Sequence, residues 1–472
     1  MSKLNKSNKR VNKTVSHEGG EVYKQSAELE LMELATTSLL SDTFYTSSEE
    51  NMNRLKRLSN SVSIEFLTKL AAYTRNEMKL RSMPQVLFAL AAQRAAKEGN
   101  QNQHKMVRSY AKKVIKRADE PADILNFWIK NIGGGSKKHL PTTLKKSIAD
   151  SLNQFNAYHL AKYKGGNKEL KLRDVLRIVH PKPINEEQSA LFKQVMDDSL
   201  ESPDTWEVHI SANGASEKTW NEIAPKMGIF ALLRNLRNFE THKASEAINC
   251  AIEKFKNKTV VEKSGILPYQ WAKAVGEVTS NSLKAAIQTA MEHSIANVPD
   301  IEKKTIVVVD HSASMGPKTN TNSVRYKADI LAAMIYKKCK NAEVYVFGDS
   351  VEKVDLLPNE SLLRTMRQIS ETEAGHSTNI SPVFDEIPSD SENVVVLSDM
   401  QIHVHYYSDF QKWKKKNNAD CRTFSINLCG YGTNIVPETT GDSTNISGWS
   451  ERIIDFINSV GDATMLDKVK AA

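Results

Sequence analysis

One stretch near residue 310 carries oxygen-bearing side chains at a spacing suited to holding a metal ion. Ile306 to Val309 are four consecutive apolar, β-branched residues, which predicts a strand buried on both faces, because a half-buried strand would alternate. Asp310 follows, and Ser312 and Ser314 come at alternate positions, which in an extended loop places the three side chains on one side. One carboxylate and two hydroxyls suit a hard cation such as Mg²⁺. A plain polar turn is the alternative.

Two later segments supply matching residues. After a helical pattern over 323–340 and a second strand over 342–348, Thr378 lies in the polar segment 375–379. Asp399 ends another apolar strand over 393–399. Ligand sites of parallel sheets lie outside the carboxyl ends of the strands, so Asp310, Thr378 and Asp399 are expected to converge on one edge. The pattern predicts an α/β sheet with a site for Mg²⁺ or another divalent cation.

This order of motifs resembles the von Willebrand factor A domain and its metal-ion-dependent adhesion site, over roughly residues 301–460. The resemblance implies a doubly wound α/β domain whose cation keeps one coordination position for the carboxylate of a ligand. The residues that match the family's metal ligands are Asp310, Ser312, Ser314, Thr378 and Asp399.

The chain departs from the family pattern at one metal-ligand segment. The family usually has Gly-Gly-Thr where this chain has His376-Ser377-Thr378. Both Ser377 and Thr378 are therefore candidates for the hydroxyl ligand. Thr378 is favoured because Asn379 and Ile380 then match the family pattern that follows.

Length and composition narrow the class of protein. A chain of 472 residues can form two or three domains, each with its own core. There is no apolar run of about 18 residues, which predicts no membrane span. The N-terminus is rich in Lys, Asn and Ser and lacks the apolar core of a secretory signal. The 4 cysteines form no CxxC pair, which is typical of a reducing cytoplasm. A cytoplasmic protein is expected.

The positive charge of the chain is concentrated before residue 183. The net charge is +8, but residues 301–472 contain 19 Lys and Arg against 23 Asp and Glu. Residues 51–182 contain 27 against 9, a surplus of 18. A basic block of this size favours a polyanionic partner, nucleic acid first. The alternative is a solvated helical surface with lysines on its outer faces.

Residues 26–296 have an amphipathic helical pattern throughout. Short helices recur about every 20 residues, which favours an array of stacked helical repeats. The predicted organisation is a flexible basic tail over 1–24, a helical RNA-binding region over 25–300, the α/β domain over 301–460 and a C-terminal tail over 461–472. Within the helical region, the glycine-rich loop 133–141 carries Lys137 and Lys138 where they can meet phosphate.

A second resemblance covers nearly the whole chain after about residue 25. Leu172-Arg-Asp-Val-Leu-Arg-Ile-Val-His-Pro-Lys-Pro183 is similar to a stretch of the Ro ribonucleoprotein family, whose helical part is the TROVE module. The resemblance implies a ring of HEAT-like repeats closed by the A domain, without enzymatic activity. The other similar segments, in the same order, are 144–150, 161–164, 227–236, 266–269 and the closing helix 448–457.

The Ro resemblance implies RNA as the partner. Family members bind small Y RNAs on a basic outer face and take 3′ ends of misfolded RNAs into the ring cavity, in RNA quality control. An exoribonuclease tethered through the Y RNA is a further candidate partner, and the chain is expected to be monomeric. Gly166 stands near where a basic residue is usual. The candidate RNA-binding residues are Lys137, Lys138, Lys145, Lys162, Lys164, Arg173, Arg177, His180 and Lys182.

Two other classes of function compete with RNA binding. One is a protein-interaction scaffold without RNA, whose metal captures an acidic protein ligand. The other is a metal-dependent nuclease acting at Asp310 and Asp399, which is disfavoured because the sequence offers neither a second metal nor a nearby general base. His403 and His405 alternate after Asp399, but further ligands for a metal of their own are missing, so a surface or core pair is expected.

Overall fold

The computed structural model describes residues 13–37, 47–98, 100–163, 169–437, 442–448, 454, 457 and 465–472. The chain divides into two compact units. The first, called here the sheet unit, comprises Met1–Asn51 and Ile252–Met465. The second, the helical unit, comprises Met52–Ala251 and Leu466–Ala472. The predicted domain limits at 300 and 460 stay predictions.

The described residues from 27 to 297 contain helices and no strand, as the amphipathic pattern predicted. Most begin at a side-chain cap that satisfies free backbone N–H groups: Ser63 accepts a hydrogen bond from Phe66 N (3.0 Å) and starts α3. The helices are α1 (Ala27–Thr37), α2 (Ser48–Ser61), α3 (Ile64–Asn76), α4 (Ser82–Glu98), α5 (Gln101–Val114), α6 (Glu120–Asn131), α7 (Thr142–Leu152), α8 (Ala157–Lys162), α9 (Leu172–Val179), α10 (Glu186–Met196), α11 (Trp206–Asn213), α12 (Glu217–Ile223), α13 (Ile229–Thr241), α14 (Ser245–Lys256), α15 (Lys258–Ser264), α16 (Pro268–Val275) and α17 (Asn281–Ser294).

Within the helical unit, α4 is the central helix. It packs against α3, α5, α6 and α7, and it is buried over most of its length, because apolar residues and alanines occupy nearly every face. Helix α9 packs against α6, α7 and α10 through Leu172, Val175, Leu176 and Val179. Burying each such side chain stabilises the fold by roughly 1.5–3 kcal/mol.

The sheet unit contains a six-stranded sheet in the order β5-β4-β3-β6-β7-β9. The strands β3, β4, β6, β7 and β9 are parallel, and β5 is an antiparallel edge strand. The strands predicted at 306–309, 342–348 and 393–399 are confirmed. The bounds are β3 (Thr305–Asp310), β4 (Ala342–Phe347), β5 (Val351–Lys353), β6 (Asn393–Ser398), β7 (Arg422–Asn427) and β9 (Ser443–Ser447), with helices α18 (Val324–Lys338), α19 (Leu362–Glu371), α20 (Val383–Glu386) and α21 (Tyr406–Lys416).

The strand order reverses at β3. The chain goes from β3 through α18 to β4 on one side, and returns through α19 to β6 on the other side. Connections leave in opposite directions at this point, which opens a crevice at the carboxyl ends of β3 and β6. Every residue of both strands is buried, because helices cover the two faces of the sheet.

The prediction of a flexible tail over 1–24 is wrong for residues 13–24. They form a hairpin of β1 (Lys13–Val15) and β2 (Glu21–Lys24), and β2 pairs with β8 (Thr433–Asn434) in a small antiparallel sheet. The physical reason is that pairing satisfies the backbone and buries Val22 completely, whereas the tail prediction weighed only charge and polarity. Residues 1–12 of the predicted tail lie outside the described residues.

The predicted C-terminal tail over 461–472 contains a helix in its described part. Met465–Ala471 form a helix whose Met465 and Val469 are fully buried, one helical turn apart. In the helical unit, the hydroxyl of Tyr110 donates to the carbonyl of Ala472 (2.9 Å). Of the resembling segment 448–457, only residues 448, 454 and 457 lie within the described part of the chain. None of the described helices is long and apolar enough to cross a membrane.

Candidate metal centre and candidate nucleic-acid interface

Asp310 is the last residue of β3 and lies fully buried in the crevice. Its Oδ1 accepts a hydrogen bond from Ser312 N (2.8 Å), and its Oδ2 accepts one from Ser398 Oγ (2.6 Å). Burial raises the pKa of this carboxyl above its usual range, against the opposing effect of the bonds from Ser312 and Ser398. A bound cation would supply positive charge, and this would offset the free-energy cost of burying the ionised carboxylate.

The loop after β3 is tighter than an extended segment. Ala313–Met315 form a 3-10 turn that ends at Gly316, so the prediction of an extended loop is wrong for Ser314. The turn is closed by the bond from Met315 N to Ser312 O (3.1 Å). This winding still brings the hydroxyls of Ser312 and Ser314 within 3.2 Å of each other. The two serines therefore lie together beside Asp310.

Thr378 is positioned by Asp349, which follows β4. Asp349 accepts hydrogen bonds from His376 N (3.2 Å) and Ser377 N (3.0 Å) and so holds the segment that leads to Thr378. The carbonyl of His376 accepts from Ala313 N (3.1 Å), which joins this segment to the serine loop. Thr378 is 3% exposed, and its Oγ1 lies 2.9 Å from His403 Nδ1. Ser377 is exposed.

Asp399 follows β6 and is fully buried. Its Oδ1 accepts from Gln401 N (3.0 Å), while its Oδ2 has no hydrogen-bond partner among the described residues. Burial, and secondarily the negative charge of Asp310, raise the pKa of Asp399 to about 7, while the nearby Ser314 hydroxyl acts in the opposite direction. A buried acceptor without a partner costs about 1–3 kcal/mol unless something satisfies it.

The residues around this crevice fit a hard divalent cation. They offer two carboxylates and small hydroxyls, all oxygen donors, at the switch point of a parallel sheet. The partnerless Oδ2 of Asp399 is an acceptor that a cation would satisfy. The structure thus brings Asp310, Ser312, Ser314 and Asp399 together and places Thr378 on the adjoining segment.

Two polar residues of this crevice were not singled out from the sequence, and the contact of a third, His403, was not expected. Ser398 and Asp349 support the candidate ligands, and His403 contacts Thr378. His403 was expected to form a surface or core pair with His405. Asp349 and Ser398 could have been found from their places at strand ends, since side chains there line the crevice. The approach of His403 depends on a bend after β6 that has no signature in the sequence.

The candidate nucleic-acid interface includes one face of α9. Its apolar residues face α6, α7 and α10, so Arg173 and Arg177, four positions apart, share the exposed side. Neither arginine forms an ion pair with a described residue. Two neighbouring guanidinium groups without carboxylate partners remain available for phosphate.

The segment after α9 is held in a fixed conformation. His180 ends the helix with a left-handed backbone (φ 48°), and its N–H donates to Leu176 O (2.9 Å). The carbonyl of Lys182 accepts from Asn153 Nδ2 (2.9 Å) at the end of α7. The side chains of His180 and Lys182 are exposed. The two residues therefore extend the basic face of α9 from a rigid support.

The basic loop between α6 and α7 is likewise ordered by contacts. Gly135 N donates to Ile129 O (2.8 Å) across the end of α6, and a Cβ at Gly133 would lie 2.3 Å from the Trp128 ring. Lys137 and Lys138 are exposed in this loop, and Lys145 is half-buried on α7. None of these three lysines forms an ion pair within the described chain.

Lys162 differs from the other described candidates because its side chain has an ion-pair partner. Its Nζ lies 3.7 Å from Glu207 Oε1, and Arg117 stacks 4.7 Å from the ring centre of Tyr163. The Tyr163 ring is therefore already covered by a cation on one side. Lys164 and Gly166 lie outside the described residues.

The structure adds a basic cavity that was missed in the sequence. It has a volume of about 410 Å³ and lies between α5 and the start of α7. No sequence signal marks it, because its residues come from two helices about 40 positions apart. The lining residues are Gln101, His104, Lys105, Arg108, Thr142, Thr143 and Lys146.

Comparison with known proteins agrees with this combination of a helical array and a sheet unit. The TROVE domain family matches residues 23–201 and 196–347, which is more than half of the chain. The chain belongs to the TROVE family, the family of the Ro ribonucleoproteins. No curated protein matches it.

A solved structure supports the fold independently. The crystal structure of the Deinococcus radiodurans Ro (RSR) protein is similar, with a TM-score of 0.62. The similarity covers 92% of this chain and 99% of that chain at 15% sequence identity. At this identity the likeness concerns the fold alone.

Proposed function

We propose that this chain is an RNA-binding protein of the Ro kind, in which the helical unit binds structured RNA and the sheet unit is a von Willebrand factor A-like domain that holds Mg²⁺. The observation that carries the RNA proposal is the exposed pair Arg173 and Arg177 without ion-pair partners in the described chain. Family membership and the Ro name of the similar structure support the same partner.

The exposed cations of the helical unit suit the binding of structured RNA. Lys137, Lys138, Lys182 and the two arginines of α9 are cations that can bind phosphates, which gives affinity with little sequence preference. Structured RNA is read mainly by shape and backbone contacts. A small non-coding RNA of the Y type is the proposed ligand of these cations. Binding of 3′ ends in a ring cavity, a role in RNA quality control and a cytoplasmic location stay predictions.

In the sheet unit, Mg²⁺ would be held by Asp310, Ser312, Ser314, Thr378 and Asp399. When bound, the cation would neutralise two buried carboxylates and offer an open position to a carboxylate ligand. Asp349 and Ser398 would orient the ligand residues through the hydrogen bonds described above. The proposed role is binding and not catalysis.

A titration tests the RNA proposal. A labelled RNA with a stem and a 3′ single-stranded tail is compared with duplex DNA at two salt concentrations. The variant Arg173→Ala/Arg177→Ala should bind the RNA about 30-fold more weakly, because it loses two phosphate contacts worth about 1 kcal/mol each. The slope of log affinity against log salt should fall by about 1.5.

A matched control separates local contacts from net charge. Lys218→Ala/Lys226→Ala also removes two positive charges from exposed positions of the helical unit, but these lysines are paired with Glu222 and Asp204. This variant should change RNA affinity less than threefold. Equal losses in both double variants would show that only net charge matters. Absence of binding by the wild type would remove the RNA proposal.

One observation supports the scaffold alternative: Asp399 Oδ2 has no hydrogen-bond partner among the described residues. A metal-dependent scaffold without RNA would purify free of nucleic acid and would bind an acidic protein ligand only with a divalent cation present. The nuclease alternative predicts RNA cleavage that Asp310→Ala abolishes, and we expect no cleavage by the wild type.

A further inference from the structure

The cavity between α5 and the start of α7, called here the α5–α7 cavity, is a concave site within the helical unit. Its volume of about 410 Å³ lies within the range of ~300–1,000 Å³ that is typical of small-ligand sites. The two helices pack against each other, and a contact between His104 Nδ1 and Thr143 Oγ1 joins the two walls. Thr143 is buried, so this contact fixes the walls from the interior side.

The charge of the α5–α7 cavity is positive and partly uncompensated. No carboxylate is among the described residues that line it, whereas Lys105, Arg108 and Lys146 are. Arg108 is neutralised from outside the lining, because its Nε and Nη2 donate to Asp150 Oδ2 (3.1 and 2.7 Å). Lys105 and Lys146 are exposed, and neither forms an ion pair with a described residue. Two positive charges therefore remain without a partner in one concave site.

A second cavity, in the sheet unit, has lysines whose bonds are already satisfied. Its volume is about 490 Å³, and its lining includes Lys304, Lys337 and Lys340. Lys304 Nζ lies 2.5 Å from Asp390 Oδ1, and Lys340 Nζ lies 2.6 Å from Glu302 Oε2. Lys337 donates to backbone carbonyls. The chain itself satisfies these lysines, whereas it leaves Lys105 and Lys146 of the α5–α7 cavity for a ligand.

The uncompensated charge of the α5–α7 cavity matches a terminal phosphate ester. A concave site lined by one sign of charge raises the local potential and attracts the opposite sign. A phosphomonoester carries about −1.5 to −2 charge at pH 7, close to the charge of two lysines, whereas an internal phosphodiester carries a single negative charge. The volume exceeds what a phosphate group alone would fill. Gln101 and His104 add an amide that can hydrogen-bond to a base edge and an imidazole that can stack on a base.

We propose that the α5–α7 cavity binds the nucleoside 5′-monophosphate at the 5′ end of an RNA. This inference rests on the RNA binding of the proposed function and adds to it a site that recognises one end of the strand. An RNA strand that passes the cavity without ending there presents only phosphodiesters, so the cavity distinguishes a 5′ end from an internal position. A free nucleoside 5′-monophosphate has the same chemistry, and the experiment separates these two sources.

The test is a fluorescence anisotropy titration of the full chain with two RNAs of one sequence, labelled at the 3′ end. Both have a stem and single-stranded tails at both ends, and they differ only in a 5′-phosphate or a 5′-hydroxyl. The wild type should bind the 5′-phosphate RNA about tenfold more tightly, because two lysines pair with the terminal phosphate. Lys105→Gln/Lys146→Gln should remove this preference. Adenosine 5′-monophosphate should compete with the 5′-phosphate RNA only at concentrations well above that of the RNA.

Lys193→Gln/Lys243→Gln is the matched control. Lys193 and Lys243 are exposed lysines of the helical unit, and neither forms an ion pair with a described residue. The control variant therefore loses the same charge without touching the α5–α7 cavity, and it should keep the tenfold preference for the 5′-phosphate RNA. Equal loss of the preference in both double variants would reduce it to net charge and would overturn the role of the cavity.

The remaining outcomes separate this inference from the proposal beneath it. If the wild type binds the two RNAs equally, RNA binding stands and the role of the α5–α7 cavity is refuted. If the wild type binds neither RNA, both proposals fail. If adenosine 5′-monophosphate binds the wild type and not Lys105→Gln/Lys146→Gln, while the two RNAs bind equally, the cavity takes a free nucleotide and its role at an RNA end is overturned.

Discussion

The two candidate sites differ in burial: the side chains of one are buried, and those of the other are exposed. The candidate metal centre is a buried set of short side chains, and each is fixed by hydrogen bonds, such as those of Asp310 to Ser312 and Ser398. The basic face of the helical unit consists of long exposed side chains, such as Arg173 and Arg177, that have no ion-pair partner in the described chain. A buried site concentrates its binding energy in a few residues, whereas an exposed face spreads it over many.

This contrast has consequences for substitutions. In the metal centre, one change should abolish binding, because the remaining oxygens cannot replace a lost carboxylate. On the basic face, each change should cost a small and nearly additive amount, since separate phosphate contacts act independently. The following predictions test the contrast from the largest expected effect to the smallest.

The largest effect is expected for Asp310→Asn. Loss of this carboxylate should weaken Mn²⁺ binding more than 100-fold in a calorimetric titration, because affinity depends steeply on ligand charge. RNA affinity should change less than twofold. A parallel loss of RNA binding would show that the two regions do not act separately and would break the comparison.

The second effect concerns the stability of the metal-free protein. The pKa of Asp399 is raised to about 7 in the folded protein. The free energy of unfolding should therefore fall as the pH rises from about 4 to about 7, because the buried carboxylate is then increasingly ionised, and it should lose nothing further from this group at higher pH. Asp399→Asn should therefore raise the free energy of unfolding at pH 8 by on the order of 2 kcal/mol. Urea denaturation at pH 8 and pH 4, in the presence of a chelator, measures this.

At pH 4 the carboxyl of Asp399 is mostly protonated in the folded state, so the two proteins should then differ little. Excess Mg²⁺ should reverse the order at pH 8, since it stabilises only a protein that binds it. A variant that is less stable than the wild type under all of these conditions would show that Asp399 has a structural role and would contradict the linkage to the metal.

The third effect is expected at Gly375. A Cβ there would lie 2.0 Å from Asp349 Oδ2, and the residue has φ +87°. Gly375→Ala should displace the segment that carries Thr378 and weaken Mn²⁺ binding about tenfold, with a cost of about 1–3 kcal/mol in stability. Gly214→Ala is the control, since it has a similar positive φ (74°) but no neighbour within 4 Å. Equal metal affinities in the two variants would remove the supporting role of Asp349.

The smallest effects are expected for single changes on the basic face. Arg173→Ala and Arg177→Ala should each lower RNA affinity about fivefold, in keeping with the loss of one exposed phosphate contact. Their losses, expressed as free energies, should add in the double variant. If either single variant lost as much as the double variant, the face would contain a specific site, and the contrast with the metal centre would weaken.

The sequence predicted the residues of the candidate metal centre more sharply than those of the basic face, for a physical reason. Four of the five candidate ligands, all but Thr378, lie at or just after the ends of buried strands, and such strands are recognised from their continuous apolar runs. Parallel pairing then brings those ends to one edge without further information. The exposed cations have no comparable constraint, because composition shows only that positive charge is abundant and not which residues share a face.

Several features could not be predicted because they depend on contacts between distant segments. Glu33 on α1 is fully buried and accepts hydrogen bonds from Asn427 Nδ2 (3.0 Å) and Asn434 Nδ2 (3.2 Å), about 400 positions away. The hairpin of residues 13–24 was expected to be a tail, since its stability comes from pairing with β8. Local pattern carries no information about such partners.

The sequence by itself determined the helical region, the buried strands of the sheet and which residues are candidate ligands of a cation, because periodicity and spacing act within short segments. Only the tertiary structure decided that Thr378 is held by Asp349 and contacts His403, that α9 presents two unpaired arginines, and that α5 and the start of α7 line a basic cavity. These relations arise from the packing of segments far apart in the chain, where burial and hydrogen bonding are settled only once the whole fold has formed.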